Sequence, residues 1–180
     1  MRIFKPKDYN FYVNATNTGR TVTMKDVYEG FIGKIEYNHT DSNGVTHDEA
    51  FLPLVSADLT SKNVHVALFE KTEDTVEYNR KGFRVDNYKS EGEHVRVYDL
   101  SKHDGLLFEI TSNLVKDVYA SINVGDELVP TTDGSMILEV GSGSGVSFEV
   151  IQKDIYFNIH YLQEGAVVPD GALLVKLVVA

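Results

Sequence analysis

The chain has 180 residues, 42% of them hydrophobic and 24% charged, with a formal net charge of −10, no cysteine and no tryptophan. That balance is ordinary for one globular domain, and no apolar run approaches the roughly 20 residues of a membrane-spanning helix. Without cysteine there is no disulfide framework, thiolate metal site or cysteine nucleophile.

The first segment stands apart in charge and pattern. Residues 1–25 carry Arg2, Lys5, Lys7, Arg20 and Lys25 against Asp8, a net +4, which leaves −14 for the remainder. An acidic body repels nucleic acid phosphates and anionic lipid, so neither is an expected partner, while a basic leader is attracted to acidic protein surface. MRIFKPKDYN lacks the apolar stretch of a secretory signal, and the expectation is a cytosolic product. Residues 1–22 show no strand or helix period and hold one apolar cluster, Phe11, Tyr12 and Val13. They predict an extended N-terminal arm whose aromatics are buried either on its own domain or on another subunit, with 23–180 as the folded domain. The candidate subunit-contact residues are Arg2, Phe4, Lys5, Lys7, Tyr9, Phe11, Tyr12 and Val13.

Period-two alternation dominates the rest. Phe31, Ile35 and Tyr37 mark a first strand, interrupted by Gly33, and Asn43-Gly44 predicts a two-residue type I′ hairpin. In that register Thr40 pairs with His47 and His39 with Asp48, which places His39 and His47 on opposite faces and argues against a shared metal ion. Pro53 limits residues 51–62 to a loop or single turn. Strands follow at Val64, Val66 and Leu68, at Val95 and Val97, and at Leu106, Phe108 and Ile110, with a short turn capped by Ser112.

Two later segments, 127–140 and 166–178, each run apolar, Pro, Asp-Gly, apolar, and predict hairpins of similar shape. In the second, Pro169-Asp170-Gly171 suits a type I turn with a left-handed glycine. Between them GSGSG (141–145) has no lysine and precedes a strand pattern, so it predicts a flexible connector and not a phosphate loop. Ile155, Phe157, Ile159 and Tyr161 share one strand face, and Leu173, Val175, Leu177 and Val179 another. Many short strands separated by turns predict an all-β antiparallel sandwich or small barrel with little helix.

Catalytic patterns are weak. His94, Asp99, His103 and Asp104 include the types of a hydrolase triad, but no serine sits in a G-x-S-x-G elbow. No catalytic residue, metal ligand or cofactor site is therefore predicted.

Within residues 122–162, INVGDELVP, DGSMILEV, GVSFEVIQ and DIYFNIHYL follow in order. At Val124, Gly125, Asp126, Asp133, Gly134, Gly145 and Val146 this stretch resembles the small β domains of tailed-phage head decoration, or capsid-cementing, proteins. The resemblance implies a structural virion protein, assembled in the host cytoplasm. It would sit on the capsid surface, often as a trimer, and bind the major capsid protein of neighbouring capsomers. The alternative is a carbohydrate- or receptor-binding module of a phage tail or fibre.

Overall fold

A computed structural model describes residues 2, 4–8, 21–68, 88–155 and 170–180. In chain order the strands are β1 (Phe4–Pro6), β2 (Val22–Thr23), β3 (Val27–Tyr28), β4 (Ile32–Thr40), β5 (Thr46–Leu52), β6 (His65–Ala67) and β7 (Tyr88–Lys89). They continue with β8 (Val97–Asp99), β9 (Leu107–Thr111), β10 (Glu127–Pro130), β11 (Leu138–Val140), β12 (Val146–Lys153) and β13 (Ala172–Val179). Helix among the described residues is confined to single 3₁₀ turns at Ser56–Asp58, Leu100–Lys102, Ser112–Leu114 and Tyr119–Ser121.

The protein is an all-β sandwich. One antiparallel sheet has the order β1-β9-β13-β12-β10-β11; the other runs β2-β5-β4-β6-β8, with β2 and β5 parallel. A small pair, β3-β7, lies beside them. Both large sheets feed one hydrophobic core.

Alternation sorts the side chains. In β13, Leu173, Val175 and Leu177 are fully buried whereas Lys176 and Val178 are exposed, and β13 is an interior strand. Phe108 and Ile110 on β9, and Phe148 and Val150 on β12, meet that row from either side. Phe4, Phe108 and Phe148 form an aromatic cluster, with ring centroids 4.9, 5.8 and 5.9 Å apart. Tilted and edge-on pairs of this kind add about 0.5–1.5 kcal/mol each beyond simple burial.

Several expectations are corrected. The 1–22 segment is not an arm throughout: Phe4 is 1% exposed, and β1 pairs with β9 as part of the main sheet. The apolar ring gains more by filling that core than by waiting for a partner. Residues 9–20, and with them Tyr9, Phe11, Tyr12 and Val13, lie outside the described residues. So do Phe157, Ile159 and Tyr161 of the strand expected over 155–161.

The β4–β5 hairpin closes one residue earlier than the Asn-Gly signal suggests. Gly44 N donates to Asp41 O at 3.0 Å and Asp41 N to Val45 O at 2.9 Å, with Gly44 at φ +81°. This is a type I turn completed by a left-handed glycine. Asp41 Oδ1 favours it by accepting from Asn43 N and Val45 N, at 2.8 and 2.9 Å. Thr40 therefore pairs with Thr46, and His39 with His47.

GSGSG is tied down and is not a free connector. Gly145 N donates to Leu59 O at 2.6 Å, the Ser144 hydroxyl to the same oxygen at 3.1 Å, and Ala180 N to Gly145 O at 3.0 Å. Gly171 is not left-handed, and its lack of a side chain serves the close approach of Tyr119. Tyr37, grouped by alternation with Phe31 and Ile35, is 66% exposed because the hairpin outruns the neighbouring strands: β6 pairs only with Ile32 and Gly33 of β4.

Candidate functional site

The leading segment is positioned by β9. Phe4 pairs with Ile110, Lys5 with Glu109 and Pro6 with Phe108, which makes β1 an edge strand with Pro6 in its row. Arg2 is drawn inward as well, its Cζ 4.1 Å from the Tyr28 ring centre and 5.7 Å from that of Phe31. Lys5 and Lys7 are exposed, Lys7 N donates to Leu107 O at 2.8 Å, and the Lys7 ammonium pairs with Glu109. Of the candidate contact residues described, the structure gives Arg2 and Phe4 to the protein's own packing and leaves Lys5 and Lys7 on the rim.

Several acidic residues lie in loops or at strand ends, where their carboxylates accept backbone N–H groups. Asp26 accepts from Glu91 N, Asp58 from Val55 N, Glu93 from Ser90 N, Asp99 from Ser101 N and Asp104 from Val179 N. Asp117 accepts from Val140 N, Asp126 from Asn123 N and Asp133 from Ser135 N. Each such bond satisfies a donor that would otherwise need water and narrows the loop to one shape.

Asp133 also takes the Lys116 ammonium at 2.7 Å, which with the Ser135 bonds holds its carboxyl far below the usual range and raises Lys116. The N–H of Val45 and the His47 ring lower Asp41 in the same way.

The motif residues behind the capsid-cementing resemblance serve this framework. Asp126 and Asp133 clip their own turns, and Gly125 and Gly134 occupy the left-handed corners. Val124 stands out at 62% exposure and Val118 at 72%; Val140, also exposed, lies beside Asp117 on the edge strand β11.

The histidine groups do not converge. His39 and His47 face each other across the hairpin, contrary to the expected register, yet His39 Nδ1 meets Glu36 and His47 Nε2 meets Asp41, each at 3.1 Å. No group of three or more metal-ligating side chains occurs among the described residues. Asp99 caps the 100–102 turn, His103 ends it, Asp104 reaches β13, and His94 bridges to Val22. These four do not assemble into a triad.

No family model, curated protein or solved structure matches the chain.

Two residues with special environments, Tyr119 and His65, stand outside every sequence motif. Tyr119 places its hydroxyl 2.8 Å from Asp154 Oδ1 and 3.2 Å from the Ala172 carbonyl, and its oxygen accepts from Asp154 N at 2.9 Å. It thereby joins the end of β12 to the start of β13. His65, buried in β6, was visible only as a polar residue between Val64 and Val66 in an otherwise apolar run.

Proposed function

We propose that this chain is a structural virion protein that binds the outside of an assembled phage capsid and stabilises contacts between capsomers. The observation that carries the reading is the set of loops locked by Asp and Glu carboxylates. A binding surface whose loops already hold their bound shape loses little conformational entropy on docking. Exposed Val118, Val124 and Val140 supply apolar contacts, and Lys5, beside the Lys7–Glu109 ion pair, supplies positive charge on an otherwise acidic molecule. Repeated over a lattice, weak contacts of this kind sum through multivalency, and a homo-oligomer, a trimer in the family resembled, would raise the avidity further.

The test is co-sedimentation with assembled shells of the cognate major capsid protein. The expected result is saturable binding that weakens as salt is raised and in the Lys5→Glu/Lys7→Glu variant, because rim charges are screened. Absence of binding at low salt would overturn the proposal. Reproducible hits on a glycan array in its place would support a carbohydrate-binding tail module.

A further inference from the structure

His65 lies within the five-stranded sheet, in the strand between β4 and β8. Gly33 of β4 pairs with it on one side and Asp99 of β8 on the other. The residue is 9% exposed, and its Nδ1 has no hydrogen-bond partner among the described residues. An unpartnered buried nitrogen costs about 1–3 kcal/mol with the ring neutral. With the ring protonated, a desolvated cation is added to the same unmet bond.

The charged groups around it give that cation little help. From β8, Asp99 already accepts from Ser101 N at 2.9 Å and from Ser101 Oγ at 2.6 Å, and pairs with Lys102 at 3.1 Å. From β5, Glu49 accepts the Thr21 hydroxyl at 2.8 Å. Lys102, on the turn after β8, opposes a second positive charge, and β4 contributes only Gly33. Burial is the largest influence and holds the imidazole below its ordinary value, against the pull of both carboxylates. His103, at the end of the same turn, is lowered by burial too, with Asp99 and Asp8 acting to raise it and Lys102 to lower it.

We propose that His65 is an acid-sensitive latch on the five-stranded sheet, closed while the imidazole is neutral and opened by its protonation. The part that opens is β8 with the Leu100–Lys102 turn. That unit is joined to the β6 segment by the β6–β8 ladder and by Leu100 N donating to Val64 O at 3.0 Å, and buried Leu100 anchors it. Because folding depresses the histidine, its contribution to stability is complete above the unfolded value of about 6.5 and is lost as pH falls below it. Among the described residues, the buried polar side chains of the six-stranded sheet and its turns are hydroxyls, such as Thr111 and Ser147, and that sheet stays closed. A surface formed by β8 and its turn is then released in a mildly acidic compartment without global unfolding.

Two measurements on the full chain test this. Ring-carbon NMR should show His65 titrating below the ordinary imidazole value of about 6.5, and a His65 that titrates at or above it overturns the proposal. Hydrogen exchange, corrected for intrinsic rates, should show residues 65–67 and 97–102 losing about ten-fold in protection between about pH 7.5 and about pH 5. Strands β12 and β13 should hold theirs. The loss should vanish in His65→Gln and His65→Leu; loss that persists in a folded variant, or no loss in the parent, refutes the latch. The ring titration needs no variant, so the proposal stays open to refutation if both substitutions fail to fold.

Discussion

Tyr119 closes over Gly171 so tightly that a side-chain carbon on Gly171 would sit 2.3 Å from the tyrosine Cζ. The same phenol is bonded to Asp154 and the Ala172 carbonyl, so one side chain gathers the two chain ends that bracket residues 155–170. Gly171→Ala must displace the ring and should destabilise the fold by about 1–3 kcal/mol. Tyr119→Phe keeps the ring and loses only the hydroxyl bonds, at about 1 kcal/mol. Urea unfolding of both variants checks the order; equal midpoints for Gly171→Ala and the parent would show that the ring moves aside freely.

Phe4 contributes to the core and Lys5 does not. Phe4→Ala opens a cavity against Phe108 and Phe148 and should cost about 3–5 kcal/mol, whereas Lys5→Ala should stay within about 0.5 kcal/mol. Chemical denaturation separates the two cases. A Phe4→Ala protein as stable as the parent would mean that β1 is dispensable to the sheet.

The strands themselves were legible because one buried face imposes period two, as in Leu173, Val175 and Leu177. Their partners were not: nothing near Phe4 announces that it pairs with Ile110, more than a hundred residues away. The hairpin register departs from the Asn43-Gly44 signal because the Asp41 carboxylate selects the longer turn. Two of the carboxylate clips leave a readable trace, an acidic residue two positions before a serine, as in Asp99-Leu100-Ser101 and Asp133-Gly134-Ser135, whereas those from Val140 N to Asp117 and from Val179 N to Asp104 join segments far apart in the chain. The Lys116–Asp133 pair, by contrast, depends on tertiary placement that no spacing encodes.

The stability of the protein against acid should carry the signature of Asp133. Its carboxyl is depressed in the fold, so the stabilisation it gives is complete above the unfolded value of about 3.9 and is lost as pH falls through the folded value. Asp133→Asn removes that titration, so its stability should decline less steeply with acid below about pH 4 than that of the parent. Both partners are about half exposed, and added salt should shrink the difference. Parallel pH curves for the two proteins at low salt would rule this out.

Gly44→Ala places a side chain at φ +81° and should cost about 1 kcal/mol, with open space around the added carbon. Asp41→Ala should loosen the same turn by freeing the Asn43 and Val45 donors. Cross-strand nuclear Overhauser contacts between Thr40 and Thr46 report whether the register survives. A shift to a Thr40–His47 pairing in Asp41→Ala would show that the carboxylate alone selects the turn.

The place of β13 in its sheet governs how the molecule is made. β13 separates β9 from β12, so residues 107–111 and 146–153 have their shared neighbour only after 172–179 have been synthesised. On a ribosome β9 presents one bare strand flank once residue 111 is made and β12 a second once residue 153 is made, both open to mispairing and to chaperones until 172–179 follow. Assembly of that layer is one late, non-local event, of the kind that folds in milliseconds to seconds and not in microseconds.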